Sequence, residues 1–151
     1  MLKYELTSES IDHEGVTLYR IRALKDFGVV KKGDLGGFIE KESNLSHKGN
    51  CWVFHDAYVF ENARVFDDAC VCTDSRVYGN AHVYEEATIS GIADVYGNAR
   101  VYGNAHVFDS VQVSGNASVS GIASVFGEAR IHGKACVSNN VRICGDTDID
   151  K

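Results

Sequence analysis

From Cys51 onward, one residue in every six is a β-branched aliphatic, and no insertion breaks the phase. The series runs Val53, Val59, Val65, Val71 and Val77 through Ile131, Val137, Ile143 and Ile149. The stretch "ADVYGNARVYGNAHVF", residues 93–108, shows the unit almost undiluted. Residues of this kind suit a packed, pleated strand. Two places before each of them stands a small residue, most often alanine. Positions two apart in a strand share a side, so the first and third residues of the unit point inward, and the second and fourth point outward. The fifth and sixth, often Gly-Asn, tolerate left-handed backbone and predict corners. A short strand and a corner cannot bury an apolar side alone. Repeated, they must coil and stack on themselves.

A six-residue period with an inward aliphatic resembles the hexapeptide-repeat proteins. That resemblance implies a left-handed parallel β-helix with three sides, against the usual right-handed crossover rule. Seventeen units then give about five and a half coils, a rod roughly 26 Å tall at the usual strand spacing. The right-handed pentapeptide helix needs a period of five, and no such register fits. The leader "RALKDFGVVKKGDLGGFIEKESNLSHKGNCW" narrows the resemblance to the YdcK-like hexapeptide-repeat proteins of bacteria and their phages. This family implies an architecture, with a transferase label attached to the fold. The expected class is all-β: a left-handed parallel β-helix over residues 51–151, preceded by a small N-terminal β cap over residues 1–50.

Within the cap, "KYELT" and "VTLYRIRAL" flank the turn-rich "SESIDHEG" and predict a hairpin. "VVKKGDLGGFIE" reads as strand, Gly-rich turn, strand. "KESNLSHKGN" enters the repeat phase at Leu45 but carries two extra residues before Cys51. The segment is expected to cover the open end of the helix, where unpaired strand edges invite aggregation. "KDFG" and "GDLGG" lack the strand–GxGxxG–helix frame of a nucleotide site.

Charge is unevenly placed. Residues 1–50 hold eight basic and eight acidic side chains, so the whole net charge of −6 falls on the repeat. Direct binding to a nucleic-acid backbone needs Lys/Arg density and is not expected. No apolar run reaches membrane-span length and "MLKYELTSES" has no signal-peptide core, so a cytoplasmic protein without membrane contact is expected, in the host cytoplasm if it is phage-encoded.

With three sides, residues eighteen apart form columns about 4.8 Å per step, which tests each candidate for chemistry. Cys70 and Cys72 share a side with the distant Cys144, while Cys51 points inward and Cys136 lies elsewhere; reduced thiols are expected, without a disulfide or a metal. His82, His106 and His132 fall on three different sides. His82 and His106 are the weak candidates for an acyl-transfer base, each without a projecting loop or an orienting carboxylate between residues 51 and 151. No cofactor is expected.

The outward fourth position is aromatic in nine units. Phe60, Tyr78 and Tyr96 form one column, expected as an oligomer interface; trimerisation is the default by analogy with the fold, with an end-to-end dimer as the other option. Phe66, Tyr84 and Tyr102 form the next column, beside Arg64, His82 and Arg100, three groups whose like charges need a balancing partner or the nearby corner acids. Asp56, Asp74 and Asp109 lie at corners following one side and could present carboxylates to a basic partner. These residues point to a non-enzymatic binding protein, for which the family resemblance implies a phage or prophage origin. Its acidic, aromatic-faced helix would occupy a host protein and inhibit a defence or nucleic-acid-handling complex. The alternative is an acyltransferase using acyl-CoA between subunits.

Overall fold

The computed structural model describes residues 2–151. After two long strands, β1 (Tyr4–His13) and β2 (Val16–Ala23), and a third, β3 (Leu35–Ile39), the chain becomes a parallel β-solenoid of about six coils. Each six-residue unit contributes a two-residue strand and a turn. Strands eighteen residues apart pair in register, Asp94–Val95 on Gln112–Val113 for instance, and build three flat faces. The first face carries Tyr58–Val59, Arg76–Val77, Asp94–Val95 and Gln112–Val113; the second carries Arg64–Val65, His82–Val83 and Arg100–Val101; the third carries Trp52–Val53, Cys70–Val71 and His106–Val107.

The interior is what the period predicts. Every third-position residue from Val53 to Ile143 is buried, as is every first-position residue from Cys51 to Ala135. Alternating small and branched side chains make up this interior. Ser75 is the one hydroxyl among the buried first positions, and it donates to the Cys72 carbonyl at 2.7 Å.

The corners differ from expectation in one respect. Only the fifth position adopts left-handed backbone, with φ between 56° and 76° from His55 to Gly145, and seven of these residues are not glycine. In five cases the side chain explains the tolerance. Glu61, Asp67, Glu85 and Asp109 each accept the backbone N–H of the fifth residue one coil later, at 2.9, 3.1, 3.2 and 3.0 Å. His55 does the same for Thr73 through Nδ1 at 3.2 Å. These amides stand outside the inter-coil ladder, so the side chains satisfy donors that would otherwise depend on water.

Parallel pairing starts before Cys51. Phe38 and Ile39 of β3 pair with Tyr58 and Val59, and Leu45 bridges to Val65, both twenty residues on. The coil therefore begins inside the leader, and its two extra residues fall between Leu45 and Trp52, where pairing returns to eighteen with Cys70. The phase is hard to see there because Gly37 replaces the usual alanine. A Cβ on Gly37 would stand 2.5 Å from the Ala57 carbonyl, and one on Gly36 would stand 2.5 Å from the Val53 carbonyl. These glycines sit in a strand for close approach and do not form the turn expected of "GDLGG". Nor does "VVKK" form a strand: Phe27 and Val30 make one isolated bridge.

The hairpin β1–β2 extends the first face by antiparallel pairing onto β3. Its base covers the first coil. Tyr4 donates to the Leu45 carbonyl at 2.7 Å, and Trp52 sits edge-on to both Tyr4 and Phe27. Lys3 is fully buried there, donating to the carbonyls of Cys51 at 2.8 Å and Gly49 at 3.2 Å and lying over Phe27. Burial pushes its pKa down. The Cys51 thiol, 3.4 Å from the Lys3 ammonium, is a polar neighbour in this plug as well as a small filler.

Candidate functional site

Two surfaces stand out, and both use the outward second and fourth positions. On the second face, Phe66, Tyr84 and Tyr102 stack nearly parallel, with centroids 4.8 and 4.9 Å apart. Beside them Arg64, His82 and Arg100 lie in register on successive rungs. Arg64 and Arg100 are exposed, and among the described residues neither has a carboxylate within ion-pair distance. Of the corner acids, Asp67 and Glu85 accept backbone amides and make no ion pair with either arginine. Burial, Arg100 and Arg64 together hold the His82 pKa below its ordinary value. A neutral imidazole flanked by two guanidiniums can donate or accept one hydrogen bond, but it has no carboxylate to orient it as a base. His106 is exposed on the third face between Thr88 and Ser124. The structure does not bring His82 and His106 together.

The first face is different. The far half of the hairpin curls over it: His13 lies edge-on to Tyr58 and Phe60, with centroids 5.1 and 5.2 Å away, and Leu18 packs with Phe38 and Phe60. Phe60 is only 6% exposed. The Phe60–Tyr78–Tyr96 column does stack, at 5.0 and 5.1 Å, but its first ring is covered by the chain's own hairpin. Phe60 is thereby covered within its own chain, while Tyr78 and Tyr96 are only half-buried. Hydrophobic contact decides this, since Ile11 and Val16 also pack into the same cluster.

Between hairpin and face runs a groove of about 910 Å³. Its floor is the outward second-position column Phe38, Tyr58, Arg76, Asp94 and Gln112; one rim is the corner column Asp56, Asp74, Ile92 and Ser110; the wall is Glu9, Ile11, His13 and Arg20. Arg20 braces the wall. Its guanidinium meets Glu9 at 2.9 Å and Asp56 at 3.1 Å, donates to the Gly36 carbonyl at 2.7 Å, and lies 4.3 Å from the Phe38 ring centre. Arg76 holds Asp94 with two hydrogen bonds, at 3.0 and 3.1 Å, and this pairing is the main reason its pKa is raised.

The three corner acids singled out from sequence have separate roles. Asp56 is paired with Arg20, Asp109 caps the Gly127 amide, and Asp74 lies on the groove rim with no cation among the described residues within ion-pair distance. Asn80, Asn98 and Asn116 form an amide ladder at 3.3 and 3.2 Å along another corner. All five cysteines are free thiols. Burial and the neighbouring Cys72 push Cys70 up to about 11, so it is a poor nucleophile. No helix among the described residues is long and apolar enough to cross a membrane.

Sequence reasoning missed His13, Arg20 and the Arg76–Asp94 pair. The last was readable, since opposite charges eighteen residues apart in the second position must meet on adjacent rungs.

Comparison with known proteins agrees with the geometry of the repeat. Residues 93–109 match the family described as the YdcK β-solenoid repeat. A protein named "Uncharacterized acetyltransferase YdcK" from Escherichia coli (strain K12) is 39% identical over a stretch covering 36% of this chain. The chain spans 19% of that relative's length.

Proposed function

We propose that this YdcK-like β-solenoid is a binding protein whose second face docks on an acidic surface of another protein. The observation that carries the reading is the unbalanced column Arg64–His82–Arg100 beside the stacked rings Phe66, Tyr84 and Tyr102. Arg64 and Arg100 are like charges two rungs apart, and no carboxylate among the described residues lies within ion-pair distance of either. Aromatic rings flanked by arginine are the side chains enriched at the centres of protein interfaces. The flat rungs hold these groups rigidly, which lowers the entropy lost on docking. A second copy of this chain, trimeric or dimeric, meets the same description where it presents its acidic corners. The resemblance to solenoids of bacteria and phages favours a host protein as the partner, with inhibition as the consequence.

The test is capture of a single partner by the purified chain, followed by the double substitution Arg64→Glu and Arg100→Glu. Loss of capture with an unchanged melting temperature supports the reading. Capture that survives charge reversal removes it. Light scattering on the same pair of proteins separates the self-association version from the partner version.

A second reading, acyl transfer, is motivated by the name of the Escherichia coli relative. Its candidate bases, His82 and His106, lie on different faces, and neither lines the hairpin-walled groove. Calorimetric titration with acetyl-CoA tests it: a saturable heat lost on His82→Gln or His106→Gln would favour transfer over docking.

A further inference from the structure

The groove under the hairpin has a chemistry of its own, independent of the second face. Glu9, Asp56, Asp74 and Asp94 face Arg20 and Arg76 across it, so four carboxylates against two guanidiniums leave two net negative charges. Arg20 is engaged by Glu9, Asp56 and the Gly36 carbonyl, and Arg76 by both carboxylate oxygens of Asp94. Asp74 has no cation among the described residues within ion-pair distance, and Asp56 shares its cation with Glu9. An anionic ligand would be repelled here, and the phosphates of a nucleotide carrier belong to that class.

We propose that this groove binds a linear aliphatic polyamine, lying along the rod axis with its ammonium groups against the carboxylates and its methylenes against Tyr58 and Ile11. Three features select this ligand over other cations. The acids are strung along successive rungs, and no three His, Cys, Asp or Glu side chains among the described residues converge as a metal ion requires. The floor from Phe38 to Gln112 runs over five rungs, four spacings or about 19 Å at strand spacing, which is the shape of an extended chain. Apolar and aromatic surfaces interrupt the acids, as methylenes interrupt ammoniums, and an aromatic ring edge-stacked by His13 offers a face for cation–π contact. A basic peptide fits less well. Its main chain needs hydrogen-bond partners, yet the floor strands spend theirs on the inter-coil ladder.

The experiment is calorimetric titration of the full chain with spermine at physiological salt. Saturable binding at one site per chain is expected. Asp74→Lys, a change at an exposed rim position, is expected to weaken it at least tenfold, and Ser110→Lys on the same rim to weaken it severalfold. Glu86→Lys, an equal charge change on a remote corner, is expected to leave affinity within twofold. Absence of saturable heat would overturn the proposal. So would equal losses from Asp74→Lys and Glu86→Lys, the mark of general attraction to an acidic protein, or tighter binding of a lysine tetrapeptide than of spermine. Retained spermine binding in the Arg64→Glu/Arg100→Glu protein keeps this result separate from the docking reading.

Discussion

The first and second faces of the rod are built from the same repeat and display nearly the same outward aromatics: Phe60, Tyr78 and Tyr96 on one, Phe66, Tyr84 and Tyr102 on the other. One is roofed by the chain's own hairpin and becomes a groove. The other is left bare. Position within the unit decides only whether a side chain points inward or outward. Whether an outward side chain is covered depends on residues outside the repeat, here Ile11, His13, Val16 and Arg20 of the leader. Electrostatics follows the same split. Arg20 and Arg76, beside the hairpin, are paired with acids, whereas among the described residues Arg64 and Arg100 on the bare face have no ion pair.

The largest break in this contrast should come from Gly37→Val. The added Cβ has no room beside the Ala57 carbonyl, so about 3 kcal/mol of stability is expected to go, read by urea unfolding, with early protease cleavage in the hairpin. Arg20→Met keeps an unbranched apolar stem but removes the guanidinium that lies over Phe38 and braces Glu9, Asp56 and the Gly36 carbonyl. A loss of about 2 kcal/mol is expected from charge-assisted bonds of this kind, and hydrogen exchange should quicken in β1 and β2 while the second face keeps its protection. Asp109→Ala frees the Gly127 amide and leaves a non-glycine residue at φ 58°; about 1 kcal/mol should be lost, without change at either face.

The finest test concerns His82. Its folded pKa lies below the ordinary 6.5 because of burial, Arg100 and Arg64. The stability that the neutral ring contributes is therefore present above that pH and is lost as pH falls through the depressed folded value. Arg100→Gln should move the ring's titration, followed by its NMR shifts, upward toward 6.5 and shrink the acid loss. An unmoved midpoint would mean the column is already neutralised.

Much of the fold was legible because the repeat is a steric code: Val at every sixth place and a small residue two places earlier leave one side to bury. The stacked columns, the separation of His82 from His106 and the free thiols all follow from that period. Two things did not follow. Acids at Glu61, Asp67, Glu85 and Asp109 read as surface charge, whereas their carboxylates cap amides of the next coil, a contact that depends on corner geometry finer than the period. The groove was also hidden, since alternation in β1 and β2 predicts a hairpin but not the direction in which it curls. That direction is set by packing of Leu18 with Phe38 and Phe60, residues far apart in sequence.

Phe60 and Phe66 are the same residue at the same position of neighbouring units, so they report the contrast without chemical bias. Hydroxyl-radical footprinting of the dilute protein should label Phe66 several times faster than Phe60, which is 6% exposed. Equal labelling of the two rings would mean that the hairpin does not close over the first face, and both the groove and the asymmetry between the faces would have to be abandoned.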